Sequence, residues 1–464
     1  MRPTEKLTRR RFSFRECFSC ETVPFRTLAA LFLPLLLENI CTKGFGILNT
    51  SMVSSSGMTV LSGVSLVESV SNLVITIIQG FATGASVLVA HYVGARKEKE
   101  LRSVASLVVS FTAVLSLAVS VGVVLFRRSL MHLFFRSAEP EVLDIAAYYL
   151  LGCMLSFPLY AVWTAELGTL RGAGESRIAL ISVVANSVTY LAFNYLFLVV
   201  LDLSVDGLIL SLALSRAFAL ASCSAAKHLL RSRLCRTIRE LFRPSFSHLR
   251  AVTVYGFPIS FESLIMGVAR LVLLVIVTPL GTNAIASYNI NYNLTVFSQI
   301  PAIAIMNTMF VAAGMCMGAG RPEELQKLYR NVAWLNRAVY LLVNGTILLL
   351  RGPILAAFHP EPEMIPELVR CLVLVMTMEV LIHTESFTVV YLLRGCGDVG
   401  VTTLVSVLSV FVMRLGASWV FSHILGMGVF GVFLGMCCDW VVRAVAFELR
   451  YLRGKWKHIH VIPT

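Results

Sequence analysis

Long apolar segments follow one another along almost the whole of this chain, and they limit its possible folds more than any other feature. Each is long enough to cross roughly 30 Å of hydrocarbon at about 1.5 Å per helical residue. A backbone inside lipid must satisfy its own hydrogen bonds, so repeated spans of this length predict helices. The chain is 57% hydrophobic and only 14% charged, which excludes an ordinary soluble domain. We predict an all-α membrane protein with about twelve spans, near residues 27–48, 59–93, 99–126, 140–170, 176–200, 205–230, 249–279, 284–317, 323–350, 365–394, 399–424 and 428–452.

Lysine and arginine lie mainly on one side of these spans. An even number of spans places both tails on the same side, and 28 of the 33 flanking cations fall there. Positive residues favour the cytoplasmic side, so we predict cytoplasmic tails in a multi-pass protein of the cytoplasmic (inner) membrane. The net charge of +13 then reflects topology, and nucleic-acid binding is not needed to explain it. The predicted units are a basic tail (1–26), an N-lobe of six spans (27–230), a linker (231–248), a C-lobe of six spans (249–452) and a second tail (453–464).

Four short motifs occur twice, in the same order and at an offset of 223 or 224 residues. Two copies of an even number of spans share one orientation, which is typical of transporters whose site lies between the halves. The chain has no Walker-type phosphate loop, so energy for transport must come from an ion gradient or a partner. The repeated pairs are Pro34-x-x-x-Glu38 with Pro258-x-x-x-Glu262, Gly94-Ala with Gly318-Ala, Val205-x-Gly207 with Val429-x-Gly431, and Arg171-Gly-Ala-Gly-Glu175 with Arg394-Gly-Cys-Gly-Asp398.

The Arg-Gly-x-Gly-acid motifs predict tight turns at the ends of helices, because glycine tolerates the backbone conformations that such turns need. We expect the arginine and the acid of each motif to neutralise each other, Arg171 with Glu175 and Arg394 with Asp398.

These motifs are part of a longer ordered set that resembles the multidrug and toxic compound extrusion (MATE) family, particularly its bacterial branch, from residue 27 to about 452. The resemblance implies two six-helix lobes around a central cavity. It also implies Na⁺- or H⁺-coupled export of small amphipathic organic compounds by alternating access, with neither enzymatic activity nor a cofactor besides the coupling ion, and we expect a monomer. The matching stretches are Leu33–Glu38, Asn49–Gly57, Leu61–Leu66, Tyr92–Ala95, Arg171–Gly174, Gly256–Glu262 and Met315–Gly320.

Two other interpretations stay open. A lipid-linked saccharide flippase of the wider superfamily would favour a strongly cationic cavity, and the motifs fit that group less well. A non-transporting membrane receptor is a different class, which a transport assay would separate from both.

The chain departs from the family pattern at the positions that usually carry ions. The first-helix Asp of the family corresponds here to Asn49, and a second acid in the fifth helix corresponds to Asn194. In one branch of the family, an acid in helix seven corresponds to Met266 and an Asp in helix ten corresponds to His383. The N-lobe amides cannot exchange protons, so we predict that the C-lobe carries most of the ion coupling, with Glu379 and His383 as its leading residues. The candidate substrate-cavity residues are Asn49, Asn72, Asn186, Asn194 and Met266.

Ionisable residues inside the predicted spans are costly, so each should face protein or water. The spacing predicts that Asp439 pairs with Arg443 one turn later, and that Glu262 and Arg270, two turns apart on one face, neutralise each other through a third group. Glu379 and His383 are also one turn apart, and a carboxylate beside an imidazole can bind a proton near physiological pH. Packing alone is an equal alternative for this pair. The candidate coupling residues are Glu379, His383, Glu262, Glu385, Glu38 and Glu68.

The eleven cysteines lie in predicted helices or on the predicted cytoplasmic side, so no disulfide framework is indicated. Cys17-x-x-Cys20 could begin a zinc site, but no second Cys or His pair follows at a suitable spacing. We interpret these two cysteines as an incidental pair and predict no metal site.

The topology can be tested with single cysteines placed at Asp202 and Ser422, which the prediction puts in outer loops. A membrane-impermeant thiol reagent should label both in intact cells. Labelling that requires permeabilised cells would reverse the predicted orientation.

Overall fold

The computed structural model describes residues 18–54, 58–135, 139–235 and 248–462, and the described chain is helical without a strand. Cys17, with most of the first tail, and the centre of the linker lie outside these residues. Two short helices, Arg127–Phe134 and Arg351–Ala356, follow the third helix of each lobe, again 224 residues apart. The long helices are α1 (Phe25–Ser54), α2 (Met58–Gly94), α3 (Glu98–Leu125), α4 (Pro140–Gly172), α5 (Ser176–Val200), α6 (Ser204–Leu229), α7 (Leu249–Leu280), α8 (Thr282–Ser298 and Ile300–Gly318), α9 (Glu324–Leu349), α10 (365–395), α11 (Val399–Ile424) and α12 (Gly428–Leu452).

Eleven of the described helices are long and apolar enough to cross a membrane. The predicted span at 365–394 is also helical, but its middle section, Glu379–Thr388, is π-helical and joins two α-helical segments. Single π-helical turns are frequent at functional sites. The predicted span at 284–317 is interrupted as well, because α8 breaks at Gln299, just before Pro301, whose ring nitrogen cannot donate a hydrogen bond. These two interruptions lie in the C-lobe, which also has π-helical sections in α11, whereas the described N-lobe has one, at the end of α5.

Both ends of the described chain lie on one face of the bundle, which we call the tail side. Val23, just before α1, and Trp456, just after α12, belong to the same buried apolar cluster. The backbone N–H of Thr22 donates to the Glu324 carboxylate at the start of α9, at 3.1 Å. Asp202 is exposed as a labelling site should be, but Ser422 is buried, and the neighbouring exposed His423 is the better position.

The two lobes touch along the tail-side half of α2. Gly84 lies against Gly256 of α7, and a methyl group added to Gly84 would collide with the α7 backbone. Nearer the end of α2, Gly94 meets the carbonyl of Met315 in α8. The reciprocal contact joins Gly318 to the carbonyl of His91, and both contacts are related by the 224-residue offset. The axis that relates the lobes therefore passes through this crossing, and the lobes are closed together on the tail side.

We expect Gly84→Ala to destabilise the protein, because the new methyl group must push two backbones apart. Overpacking of this kind costs about 1–3 kcal/mol. The matched control is Gly345→Ala in α9, where nothing lies within 4 Å of the added atom. Thermal melting of the purified proteins should show a loss for Gly84→Ala and none for Gly345→Ala. Equal melting temperatures would mean that the lobes do not meet at Gly84.

Candidate transport site

Each lobe contains a buried ion pair between its first and fourth helices. Arg171 at the end of α4 pairs with Glu38 of α1, and Arg394 at the end of α10 pairs with Glu262 of α7. The Pro-x-x-x-Glu and Arg-Gly-x-Gly motifs thus meet in both halves. The expected pairing of each arginine with the acid of its own motif is wrong. A side chain in the last turn of a helix points back towards the helix N-terminus, which directs these arginines into the lobe and away from the turn.

The acids of the two turn motifs have other partners on the tail side. Asp398 forms two contacts with Arg450 of α12, at 2.7 and 3.2 Å. Glu175 accepts hydrogen bonds from the Ser232 hydroxyl and, at 3.0 Å, from the backbone of Arg233. The predicted turns themselves are confirmed, because Gly174 and Gly397 have φ values of 82° and 96°.

A cavity of about 440 Å³ opens on the inner side of the N-lobe. Its wall contains the Glu38–Arg171 pair, the ammonium group of Lys43 and two aromatic rings, Tyr160 and Trp163. The other wall residues are mostly amides, hydroxyls and aliphatic side chains, and one of them comes from α8 of the other lobe: Leu35, Asn39, Thr42, Gln79, Ala82, Thr83, Thr164, Leu167, Val183, Asn186, Ser187 and Asn307. The cavity therefore offers hydrogen bonds and aromatic surface at the boundary between the lobes.

The predicted cavity residues do not all lie together. Asn186 lines the cavity, and its side-chain oxygen is buried without a partner among the described residues. Asn194 donates to Asn49 at 2.6 Å, so the two amides that replace family acids contact each other outside the cavity wall. Asn72 is exposed on α2. Met266 lies in the C-lobe, where its sulfur is 3.5 Å from a guanidinium nitrogen of Arg443.

Glu379 is the most enclosed carboxyl group of the candidate set, with no exposed surface. It accepts hydrogen bonds from Ser298 at 2.6 Å, Gln299 at 2.7 Å and Asn344 at 2.9 Å. Two of these donors come from the break in α8, and Glu379 itself begins the π-helical section of α10. Within the described ranges, no cation pairs with it. Three neutral donors therefore surround a carboxyl group at the place where two helices depart from regular geometry.

His383 lies nearby in the same π-helical section, but it has different partners. Its Nδ1 is 2.8 Å from the hydroxyl of Tyr340, and its ring stacks on Phe387 with the centroids 4.0 Å apart. The ring also meets the edge of Trp440 at 5.0 Å. The two members of the predicted Glu379–His383 pair thus take separate hydrogen bonds.

Several other ionisable residues within the C-lobe form ion pairs. Asp439 accepts from Arg443 at 2.9 Å, as predicted, and also pairs with Arg414 at 2.7 Å. Glu385 pairs with Arg337 of α9. The expected link between Glu262 and Arg270 is wrong, because Arg270 lies over the ring of Tyr292, 4.5 Å from its centroid. Glu68, in the N-lobe, is exposed on α2.

Several site residues were not predicted from the sequence. Lys43 is polar in an apolar helix and could have been selected for that reason. Ser298, Gln299 and Asn344 carry no such signal, because neutral polar residues are common in membrane helices and only the fold brings these three to Glu379.

The fold and the cavity define a helical membrane transporter built from two repeated lobes. A family model described as MatE matches residues 34–196 and again residues 258–420. The two matched stretches start and end 224 residues apart, like the motifs. The chain belongs to the MatE family.

The chain is similar over most of its length to curated family members. It is 25% identical over 459 residues to the "Probable multidrug resistance protein NorM" of Thermotoga maritima, covering 96% of both chains. It is 22% identical over 445 residues to the "Probable multidrug resistance protein YoeA" of Bacillus subtilis, covering 93% of this chain and 94% of that one. A crystal structure of a MATE protein in the bent conformation has a TM-score of 0.84 at 21% identity, covering 92% of this chain and 95% of that chain. A multidrug resistance MATE transporter in an outward-facing conformation also has a TM-score of 0.84, at 20% identity with 94% and 97% covered.

The two equivalent ion pairs, Glu38–Arg171 and Glu262–Arg394, should differ in their importance for stability. The side chains of Glu262 and Arg394 are 9% and 14% exposed, whereas that of Arg171 is 32% exposed beside the cavity. Glu262→Gln leaves a buried guanidinium without its partner and should cost about 3–5 kcal/mol. Glu38→Gln should cost clearly less, because water in the cavity can solvate Arg171.

Thermal melting of both variants beside Glu68→Gln, which removes an exposed acid, measures this difference. The expected order of stability loss is Glu262→Gln, then Glu38→Gln, with Glu68→Gln near the parent protein. A Glu262→Gln protein as stable as the parent would reduce Glu262 to a tolerated polar residue.

Proposed function

We propose that this protein exports small amphipathic organic compounds across the cytoplasmic membrane in exchange for an ion, by alternating access of a site between its lobes. The observation that carries the proposal is the polar and aromatic cavity at the lobe boundary, beside a tail-side contact that closes the two lobes together. Membership of a family with members named as multidrug resistance proteins supports the substrate class.

The way the lobes meet supports alternating access. The described inter-lobe contacts at Gly84, Gly94 and Gly318 all lie on the tail side. Rocking one lobe about this region would open the cavity to the tail side, which the cation distribution predicts to be cytoplasmic. Substrate would then enter from the cytoplasm and leave from the opposite face.

The charge of the cavity wall narrows the substrate class. Glu38 is neutralised by Arg171, and Lys43 has no ion-pair partner within the described ranges. The wall therefore carries one uncompensated positive charge. A cationic compound would meet repulsion there, whereas neutral and anionic amphiphiles can use the aromatic rings and the amides.

Ion coupling is assigned to the C-lobe, with Glu379 as its leading residue and His383 as the second. A carboxyl group without a counter-charge can gain or lose a proton with little rearrangement of its neighbours. His383, in the same π-helical section, offers no oxygen to a cation such as Na⁺, which supports H⁺ as the coupling ion.

Efflux from proteoliposomes with an imposed pH gradient tests the proposal. Glu379→Gln keeps the size and much of the hydrogen bonding of the side chain but cannot exchange a proton. We expect it to lower gradient-driven efflux at least about tenfold while substrate binding persists. His383→Ala should also reduce coupled efflux, and Glu363→Gln, at an exposed acid outside the candidate set, should behave like the parent protein.

The same assay tests the cavity charge, because neutral and anionic amphiphiles should compete better than cationic ones. Full efflux by both Glu379→Gln and His383→Ala would move the coupling site elsewhere, with Glu38, Glu68 or Glu385 next. No gradient-dependent movement of any amphiphile would refute the exporter function and reopen the flippase and receptor interpretations.

A further inference from the structure

Three side chains that commonly bind metals meet on the tail side, far from the cavity. Cys20 belongs to the segment that leads into α1, Cys316 lies near the end of α8, and Glu324 begins α9. One ligand atom from each of the three lies within 4.8 Å of the other two. Their sulfur atoms are 3.9 Å apart, although the residues are 296 positions apart in the chain.

This sulfur separation distinguishes between two chemistries. A disulfide needs about 2.05 Å between its sulfurs, so the observed pair is far from bonded. Two thiolates on one tetrahedral Zn²⁺, each about 2.3 Å from the metal, stand roughly 3.8 Å apart. The cysteines are thus already at the spacing that a shared metal ion imposes, and a carboxylate oxygen is the third common zinc ligand.

We propose that Cys20, Cys316 and Glu324 form a binding site for Zn²⁺ or a similar thiophilic divalent cation. Three protein ligands leave a fourth position for water. Cys20 and Glu324 line an open space of about 1280 Å³ on the tail side, which gives the ion and this water a route to the site.

The surrounding contacts hold the ligands in place. The backbone N–H of Cys20 donates to the carbonyl of Val23 at 3.1 Å and closes a short turn, and Thr22 within this turn donates its backbone N–H to Glu324. Val23 and Cys316 are both fully buried members of the same apolar cluster. The site therefore rests on a packed base with one open side.

A bound Zn²⁺ and Arg321 offset most of the negative charge at the site. Two thiolates and the Glu324 carboxylate supply three negative charges, and Zn²⁺ supplies two positive ones. The remaining negative charge faces Arg321, which contacts Glu324 at 3.1 Å and also pairs with Glu21. Glu324 can keep one oxygen on Arg321 and turn the other towards the metal.

The position of the site gives the metal a mechanical effect. Cys20 is continuous with the first helix of the N-lobe, whereas Cys316 and Glu324 belong to the C-lobe. Cys316 lies two residues before Gly318, where α8 crosses α2, and Glu324 lies six residues after Gly318. A bound ion would therefore fasten one lobe to the other on the tail side. It would stabilise the closed tail-side arrangement.

Metal binding to the purified full chain tests this site directly, without any transport measurement. Every protein carries Cys17→Ser, so that this thiol, which lies outside the described residues, cannot take part. Zn²⁺ is titrated against a chromophoric chelator, and Co²⁺ is added separately because thiolate ligands give it a strong ultraviolet charge-transfer absorption. The variants are Cys20→Ser and Glu324→Gln, and the matched control is Cys41→Ser, which removes a half-buried thiol of α1.

We expect one tight Zn²⁺ site with a thiolate–Co²⁺ spectrum and a higher melting temperature in the presence of metal. Removing a residue that only hydrogen-bonds to a metal ligand lowers metal affinity about 10–100-fold. Cys20→Ser removes a ligand itself, so it should weaken binding by at least about 100-fold. Glu324→Gln should weaken it and keep the thiolate spectrum, and Cys41→Ser should leave it unchanged. Absence of a tight site, binding that Cys20→Ser does not alter, or a disulfide between Cys20 and Cys316 in the protein as isolated would each overturn the proposal.

Discussion

The arrangement of each lobe depends on one arginine side chain that points into the protein and needs a counter-charge there. Arg171 and Arg394 end the fourth helix of their lobes and point into the protein, where Glu38 and Glu262 receive them. Removing either acid leaves a guanidinium without its counter-charge, at a greater cost for the more buried Arg394, so each pair fixes the first helix against the fourth. In the N-lobe the same pair forms part of the cavity wall. One electrostatic constraint thus determines the shape of the lobe and the chemistry of its inner surface.

The two lobes have kept this constraint but differ in what else they place inside the membrane. The N-lobe contact between Asn49 and Asn194 is neutral. The C-lobe holds Asp439 between two arginines and encloses Glu379 among neutral donors, beside interruptions in α8 and α10. A regular helix satisfies its own backbone, whereas an interrupted one needs polar neighbours. The polar groups and the irregular helices of the C-lobe therefore belong together.

The sequence predicted the features that depend on local spacing or on repetition. These were the spans, the two related halves, the glycine turns and the Asp439–Arg443 pair, four residues apart on one helix. It did not predict contacts that only the fold creates. Arg171 was assigned to the nearby Glu175 because sequence distance favoured that partner, yet Glu38 lies closer in space. The sequence gives no sign that Cys20 belongs to a metal site, because no second Cys or His pair follows it at a suitable spacing. The cysteine that it meets, Cys316, comes from the other lobe.

The glycines at the crossing of α2 and α8 have a consequence for the energy difference between conformations. The contacts at these glycines contain no ion pair among the described residues, so separating the helices there breaks few specific bonds. If the lobes alternate as proposed, their two arrangements can then lie within a few kcal/mol of each other. An equilibrium so nearly balanced responds to small differences in ligand affinity, and one proton or one bound molecule is enough to change which arrangement predominates.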